Sequence, residues 1–240
     1  MKTKISIFIT AITLLFGLTA TLAQGTQAYF KKNGETVFQS SISDIDSIVF
    51  KQTTKEYNCQ DFDNPEGVVI NGIRWATCNV GAPGTFASSP CDYGGYYQFN
   101  KGTTDFLLFD DYNNSVYANS DSWLPANDPS PSGWRVPTID EIQKLFDIIY
   151  VTYEWINYNG LIGEKFTDKS TGSSIFLPAA GNLGGIVGVG VLSGVGVSGC
   201  YWSCTAYGAG GADFLSFYYG IPSWGYDFRY FGCSVRSVAD

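Results

Sequence analysis

Residues 133–149 read Gly-Trp-Arg-Val-Pro-Thr-Ile-Asp-Glu-Ile-Gln-Lys-Leu-Phe-Asp-Ile-Ile, and they contain the clearest helix signal in the chain. Thr138 and Glu141 have the spacing of a capping box, in which each side chain accepts a hydrogen bond from the other residue's main chain. Pro137 prevents a helix from continuing in from upstream. Apolar residues then recur at helical spacing at Ile142, Leu145, Phe146 and Ile149. We therefore expect an amphipathic helix that buries this stripe against a sheet.

The segments around this helix are typical of antiparallel strands. Downstream, short apolar runs are separated by glycines and loops, at 174–177, 186–192, 199–205, 214–218 and 232–238. Upstream, Asn71-Gly72 lies between two β-branched runs and predicts a hairpin over 67–76, because Asn-Gly supplies the positive φ angles of a type I′ turn. An α+β fold with one or two helices, antiparallel strands and long loops is therefore expected over 58–240.

A smaller β segment is predicted before this domain, over residues 24–57. Asn33-Gly34 separates two strand-like runs and predicts a hairpin over 28–39. Residues 45–50 form a third short strand candidate, and the polar residues 51–57 are interpreted as a linker.

The first 23 residues have the pattern of a secretory signal peptide. Lys2 and Lys4 precede an apolar run over 5–20, and small residues stand before a predicted cleavage site after Ala23. The alternative, a transmembrane anchor, needs about 20 apolar residues, and this run is shorter and contains Ser and Thr. We expect an exported protein, secreted or at the cell surface, with no membrane span after cleavage.

The composition argues against several classes of function. The 240 residues contain 14 Lys and Arg against 22 Asp and Glu, for a net charge of −8. Binding to a phosphate backbone needs clustered basic residues, so no nucleic-acid partner is expected. The chain has no His, which excludes Ser-His and Cys-His nucleophile pairs and zinc sites built on imidazole. We expect no enzymatic activity and no cofactor.

The cysteines predict a disulfide framework. Their number is even, and in an oxidising compartment six cysteines form up to three bridges with 15 connectivities and no free thiol. A local bridge from Cys78 to Cys91 is expected first. Cys200 and Cys204, if they lie on one strand, are about 13 Å apart and cannot bond to each other. Cys233 is the expected partner of one of them. The six residues are Cys59, Cys78, Cys91, Cys200, Cys204 and Cys233.

Four motifs in order carry a resemblance to a known family. They are Gly-Trp-Arg-Val-Pro-Thr at 133–138, Phe-Leu-Pro-Ala-Ala-Gly at 176–181, Tyr-Trp-Ser-Cys-Thr at 201–205 and Ser-Val-Arg-Ser-Val at 234–238. Over about 68–238 the chain resembles the Fibrobacter succinogenes major paralogous domain of exported Bacteroidetes proteins. The resemblance implies a C-type-lectin-like fold, usually without a defined activity. Members often carry Cys where this chain has Ser130 and Ser237, which implies that one bridge has been lost.

The motif residues are expected to have structural roles first. Trp134 and Trp202 are interpreted as core aromatics, since large rings dominate core energetics. Arg135 and Arg236 are candidates for ion pairs with acidic residues inside the fold.

One acidic segment is a weak calcium candidate. Asp61, Asp63 and Glu66 place three carboxylates within six residues. The segment lacks the 12-residue EF-hand pattern, and the chain lacks the Glu-Pro-Asn and Trp-Asn-Asp motifs of sugar-binding C-type lectins. A solvated acidic linker is the favoured interpretation.

The candidate ligand-binding residues lie at 223–227, in Ser-Trp-Gly-Tyr-Asp. Pro222 and Gly225 predict a loop there, which would expose Trp224 and Tyr226. An exposed ring offers an apolar face to a pyranose, and Asp227 would accept its hydroxyls. The alternative is that both rings fold back over the core.

These observations predict an exported, non-enzymatic surface module that binds a glycan or a protein ligand. The alternative is a structural subunit of an extracellular or fimbrial-type assembly, in which the hairpin within 28–50 would pair with a neighbouring chain.

Overall fold

A computed structural model describes residues 18–22, 27–32, 35–41, 57–104, 122–158, 160–184 and 190–240. The chain divides into two compact units, Met1–Lys55 and Glu56–Asp240. Antiparallel sheets dominate the described residues, and one short α-helix accompanies them, so the expected α+β class is observed. Among these residues no helix has the length and apolar character needed to span a bilayer.

The first unit contains a three-stranded antiparallel sheet of β1 (Leu18–Leu22), β2 (Gln27–Lys32) and β3 (Glu35–Ser41). Lys32 pairs with Glu35, so β2 and β3 form the hairpin that Asn33-Gly34 predicts. Strand β1 lies inside the predicted signal peptide, and cleavage after Ala23 would leave the β2–β3 hairpin. The third strand candidate, 45–50, lies outside the described residues.

Short antiparallel sheets build the second unit. Its strands are β4 (Val68–Ile70), β5 (Ile73–Trp75), β6 (Trp134–Arg135), β7 (Val151–Tyr158), β8 (Leu161–Asp168), β9 (Ser174–Pro178), β10 (Asn182–Gly184), β11 (Val191–Ser193), β12 (Ser198–Tyr207), β13 (Gly211–Tyr218), β14 (Ile221–Phe228) and β15 (Val238–Ala239). The strand orders are β4-β5-β15-β6, β7-β8-β9, β10-β11 and β12-β13-β14.

The β4–β5 hairpin confirms the second predicted turn. Asn71 and Gly72 have φ angles of 48° and 79°, both positive as a type I′ turn requires. The main-chain nitrogen of Asn71 also donates to Asp168 Oδ2 at 2.8 Å, which ties this turn to the end of β8.

The predicted helix is present as α1 (Ile139–Leu145), and its capping box is formed. Glu141 N donates to Thr138 Oγ1 at 3.3 Å, and Thr138 N donates to Glu141 Oε2 at 2.8 Å. Arg135 holds the Glu141 carboxylate from the other side, with Nη2 to Oε1 at 2.6 Å. This ion pair confirms the expectation for Arg135.

The helix is shorter than its apolar pattern predicts. Ile142 and Leu145 are buried, as expected, but Ile149 is 71% exposed. The helix ends at Leu145 and Phe146 caps it, so residues beyond Phe146 leave the helical path and the buried stripe stops there. The prediction that Ile149 joins the stripe is wrong.

The sheet β12-β13-β14 separates two core clusters, because successive side chains of a strand point to opposite faces. On one face, Tyr201, Leu215 and Phe217 pack with Ile142 and Leu145 of α1 in the first core cluster. The opposite face carries the second core cluster, which includes Trp202, Ala212, Cys233 and Val235. Strand β13 is thus covered on both faces, and β14 pairs with this buried strand to form a hairpin.

Two motif residues differ from expectation. Trp202 is fully buried, as predicted, but Trp134 is only partly buried.

Arg236 is also fully buried, and no acidic side chain pairs with it among the described residues. Its guanidinium donates to Asn79 Oδ1 at 2.8 Å and to the main-chain oxygens of Ala76 and Thr77. The arginine therefore ties the segment just before β15 to the loop after β5 through neutral acceptors, and burial lowers its pKa.

The disulfides differ in part from the expected framework. Cys200 bonds to Cys233, which confirms the pairing expected for Cys233. Cys91 bonds to Cys59, with their Cα atoms 5.7 Å apart, so the expected Cys78–Cys91 bridge is wrong. Cys78 and Cys204 are half-buried free thiols, and burial raises the pKa of both. The expectation of no free thiol is therefore also wrong.

Ser130 and Ser237, the two positions at which the resembled family often has Cys, lie in direct contact. Ser237 Oγ donates to Ser130 Oγ at 2.8 Å across 107 residues of sequence. Replacing both with Cys is expected to form a disulfide in an oxidising buffer and to raise the free energy of unfolding by about 2 kcal/mol, because a long loop is closed. Urea unfolding and thiol titration in denaturant check this. The Ser130→Cys single variant is the control, and four free thiols in the double variant would contradict the prediction.

Candidate functional site

The candidate ligand-binding residues Trp224, Tyr226 and Asp227 lie on strand β14, and the predicted loop at 223–227 is wrong. Every residue of β14 pairs with β13, from Ile221 opposite Tyr218 to Phe228 opposite Gly211. Strand β14 is the outer member of the β12-β13-β14 sheet.

The two residues that suggested a break are compatible with an outer strand. Proline lacks an amide proton, but an outer strand has one edge without a neighbouring strand, so Pro222 is tolerated near its start. Gly225 lies opposite Phe214, whose ring passes 3.9 Å from where a β-carbon of Gly225 would stand. That distance is an ordinary van der Waals contact, so the packing on the middle strand does not require glycine at this position.

Both predicted aromatic side chains are exposed. Trp224 is 51% exposed and Tyr226 is 59% exposed. The alternative that both rings fold back over the core is therefore excluded. Leu215, directly opposite Trp224 on β13, is buried in the first core cluster, so burial decreases sharply from the middle strand to the outer strand.

Tyr207 joins these residues and stacks face to face on Tyr226. The two ring centroids lie 3.9 Å apart at an interplanar angle of 14°. Tyr207 and Phe228 both pair with Gly211 of the middle strand, and no side chain of Gly211 separates them. We call the four exposed residues on this face of the sheet the aromatic strip: Tyr207, Trp224, Tyr226 and Phe228.

The strip carries its rings along one face of paired strands, and Tyr207 and Tyr226 stack within it. Trp224 and Phe228 are four residues apart on one strand, so their Cα atoms are separated by about 13 Å. That length exceeds one sugar ring, and a ligand with several rings would contact more than one aromatic side chain. Phe228 also stacks with Tyr230, at 5.3 Å between ring centroids, which orients the ring at this end of the strip.

Asp227 does not lie beside the two rings. Because side chains alternate along a strand, Asp227 points to the opposite face from Trp224 and Tyr226, where it is paired with Ala212. Its Oδ1 accepts the main-chain amide of Phe228 at 2.8 Å, and burial raises its pKa. The structure therefore separates the three residues that the sequence grouped into one site.

Asp213 occupies the position that Asp227 was expected to fill. It lies on the middle strand directly opposite Tyr226, on the same face as the aromatic strip. The residue is 6% exposed, and its Oδ1 is buried without a hydrogen-bond partner among the described residues. Burial raises the pKa of this carboxyl group. Sequence reasoning missed Asp213, because its position depends on the pairing of β13 with β14.

The weak calcium candidate is not assembled. Asp61 Oδ2 accepts the amide of Asn58 at 2.9 Å and caps the short 3-10 helix Cys59–Phe62. Asp61 and Asp63 line a surface hollow of about 540 Å³, and Glu66 does not. Within the described ranges, no three acidic or thiol side chains are grouped as a metal site.

No family model matches the chain, and no curated protein or solved structure is significantly similar to it. The aromatic strip and the buried carboxyl group beside it are therefore the observations on which a function can be based.

Proposed function

We propose that this chain is an exported, non-enzymatic surface module that binds carbohydrate through the aromatic strip. The observation that carries the proposal is the stacked pair Tyr207 and Tyr226, two exposed tyrosines that pack face to face and hold each other in a fixed orientation. The C–H face of a pyranose packs on an exposed aromatic ring face, and the stack leaves the outer face of each ring for such a contact. A contiguous exposed apolar patch on a folded chain marks an interaction site, whereas single exposed apolar residues need no explanation.

The proposal includes where the protein acts and which fold it has. A signal peptide over residues 1–23 would export the chain, and two disulfides are typical of an oxidising compartment. A C-type-lectin-like fold of the major paralogous domain family is compatible with short antiparallel sheets and one helix. We propose that the chain binds its ligand without a cofactor and without calcium.

A second function is favoured by one specific observation. Strand β14 has an outer edge without a neighbouring strand among the described residues, and its one charged residue is Asp227. Such an edge is a template for pairing with a strand of another chain. A protein ligand, or a structural role in an extracellular assembly, would use this edge or the β2–β3 hairpin.

A glycan array with the oxidised mature protein tests the carbohydrate proposal, with and without calcium. Wild-type protein is expected to bind a subset of the glycans. Tyr226→Ala is expected to lower affinity about tenfold or more, because the variant loses one of the two stacked rings that would contact the sugar. The matched control is Tyr153→Ala, since Tyr153 is a similarly exposed tyrosine on a strand of another sheet.

Two outcomes would contradict the carbohydrate proposal. Absence of glycan binding by the wild-type protein would reject it, and concentration-dependent oligomers in sedimentation experiments would then support the assembly role. Equal binding by wild-type protein and Tyr226→Ala would show that a different surface holds the sugar.

A further inference from the structure

The most unusual polar group near the aromatic strip is the Asp213 carboxyl group. It is almost completely buried, although it lies on the middle strand beside a pair of exposed rings. Ser203 Oγ donates to the main-chain oxygen of Asp213 at 2.8 Å, and this bond fixes the backbone without involving the carboxyl group. Buried carboxyl oxygens are normally hydrogen-bonded, so the unpartnered Oδ1 needs an explanation.

We infer that Asp213 is the polar group of the carbohydrate site at the aromatic strip. Its carboxyl group accepts a hydrogen bond from a hydroxyl of a neutral sugar stacked on Tyr226, and it disfavours the binding of anionic sugars. This inference rests on the proposed carbohydrate function. Directly opposed residues of an antiparallel pair have β-carbons about 5 Å apart, so the Asp213 carboxyl group is the direct neighbour of the Tyr226 side chain, and a sugar on that ring would lie beside it.

The charge around the site supports selection against anions. Neither of the two ion pairs in the described part of the chain includes Asp213, so no salt bridge neutralises its charge there. The whole chain has a net charge of −8. A carboxylate forms strong charge-assisted hydrogen bonds with hydroxyl donors, but it repels a second carboxylate or a sulfate at the same position.

The test compares matched neutral and anionic oligosaccharides that differ at carbon 6. Mannohexaose and the β-1,4-linked mannuronate hexamer form one pair, and cellohexaose and its uronic acid counterpart form another. Wild-type protein is expected to bind the neutral member at least tenfold more tightly in calorimetric titrations. Asp213→Asn keeps the shape of the side chain and removes its charge, so the neutral-to-anionic affinity ratio is expected to fall about tenfold.

Asp227→Asn is the control, because Asp227 carries the same charge on the same hairpin but points to the opposite face. This variant is expected to keep the wild-type ratio. Thermal unfolding of both variants checks that the hairpin is intact. Wild-type protein that binds uronates as tightly as neutral sugars, or an unchanged ratio in Asp213→Asn, would overturn this inference and leave the proposed function standing. Absence of binding to every glycan would overturn both.

Discussion

Replacing Leu145 with alanine is expected to lower the free energy of unfolding by about 2–5 kcal/mol, because the side chain is completely buried and its removal leaves a cavity. Leu145 lies on α1 and packs with Leu215 and Phe217 of β13 in the first core cluster. The same cluster contains Phe166 of β8 and Val238 of β15, so the cavity would weaken contacts between elements that are distant in sequence. Urea unfolding monitored by tryptophan fluorescence measures the effect.

Ile149→Ala is the matched control for Leu145→Ala. Ile149 continues the apolar pattern of the helix, but it is largely exposed, so its truncation is expected to change the free energy of unfolding by less than about 0.5 kcal/mol. Equal decreases in the free energy of unfolding of the two variants would show that the helix continues beyond Leu145 and that the assigned core is incorrect.

The second large effect concerns Glu164, a buried carboxyl group on the same face of β8 as Phe166 of the first core cluster. Glu164 lies on β8 between Trp155 of β7 and Leu177 of β9. It is fully buried, and neither of its oxygens has a hydrogen-bond partner among the described residues. Burial, with a smaller contribution from the negative charge of Glu154, raises its pKa from 4.5 to about 7.

The raised pKa predicts how stability changes with pH. Below about pH 4.5 the carboxyl group is protonated in both folded and unfolded chains, and its ionisation has no effect. Between pH 4.5 and 7 it ionises first in the unfolded chain, so the free energy of unfolding falls as the pH rises. Above pH 7 the carboxyl group is ionised in both states, and the free energy of unfolding has fallen by about 3 kcal/mol in total.

Glu164→Gln is expected to remove this pH dependence. From pH 4.5 to 8 the wild-type protein should lose about 3 kcal/mol of unfolding free energy that the variant keeps, so the stability of the variant relative to the wild type rises by that amount. Urea unfolding at several pH values measures it. Glu154→Gln, a change at an exposed position on the same hairpin, should keep most of the wild-type slope, since burial is the larger cause. Parallel pH profiles for wild type and Glu164→Gln would contradict the account.

The start of the helix could be predicted from sequence, but its end could not. Thr138 and Glu141 act through contacts three residues apart, so their spacing is visible in the sequence. No glycine or asparagine marks the end at Leu145, and the apolar pattern continues to Ile149 without a stop signal. The two hairpins that Asn-Gly predicts are equally local, and both are observed.

Features that depend on position within the sheet were not predictable from the residues alone. Pro222 and Gly225 are usual strand breakers, and Pro222 is tolerated because β14 is an outer strand. Once β14 is a strand, alternation separates Asp227 from Tyr226 and places Asp213 beside the ring instead. The Cys59–Cys91 bridge is similar, because 32 residues of separation do not show that the two Cα atoms meet.

The most direct test of carbohydrate binding at the aromatic strip is fluorine NMR of the 5-fluorotryptophan-labelled protein, titrated with the best-bound oligosaccharide from the array. Trp224→Phe assigns the Trp224 resonance, and Trp202, fully buried in the second core cluster, serves as the internal reference. The account predicts that the Trp224 resonance shifts until the protein is saturated, while the Trp202 resonance stays in place. Saturable binding that leaves the Trp224 resonance unmoved would contradict it.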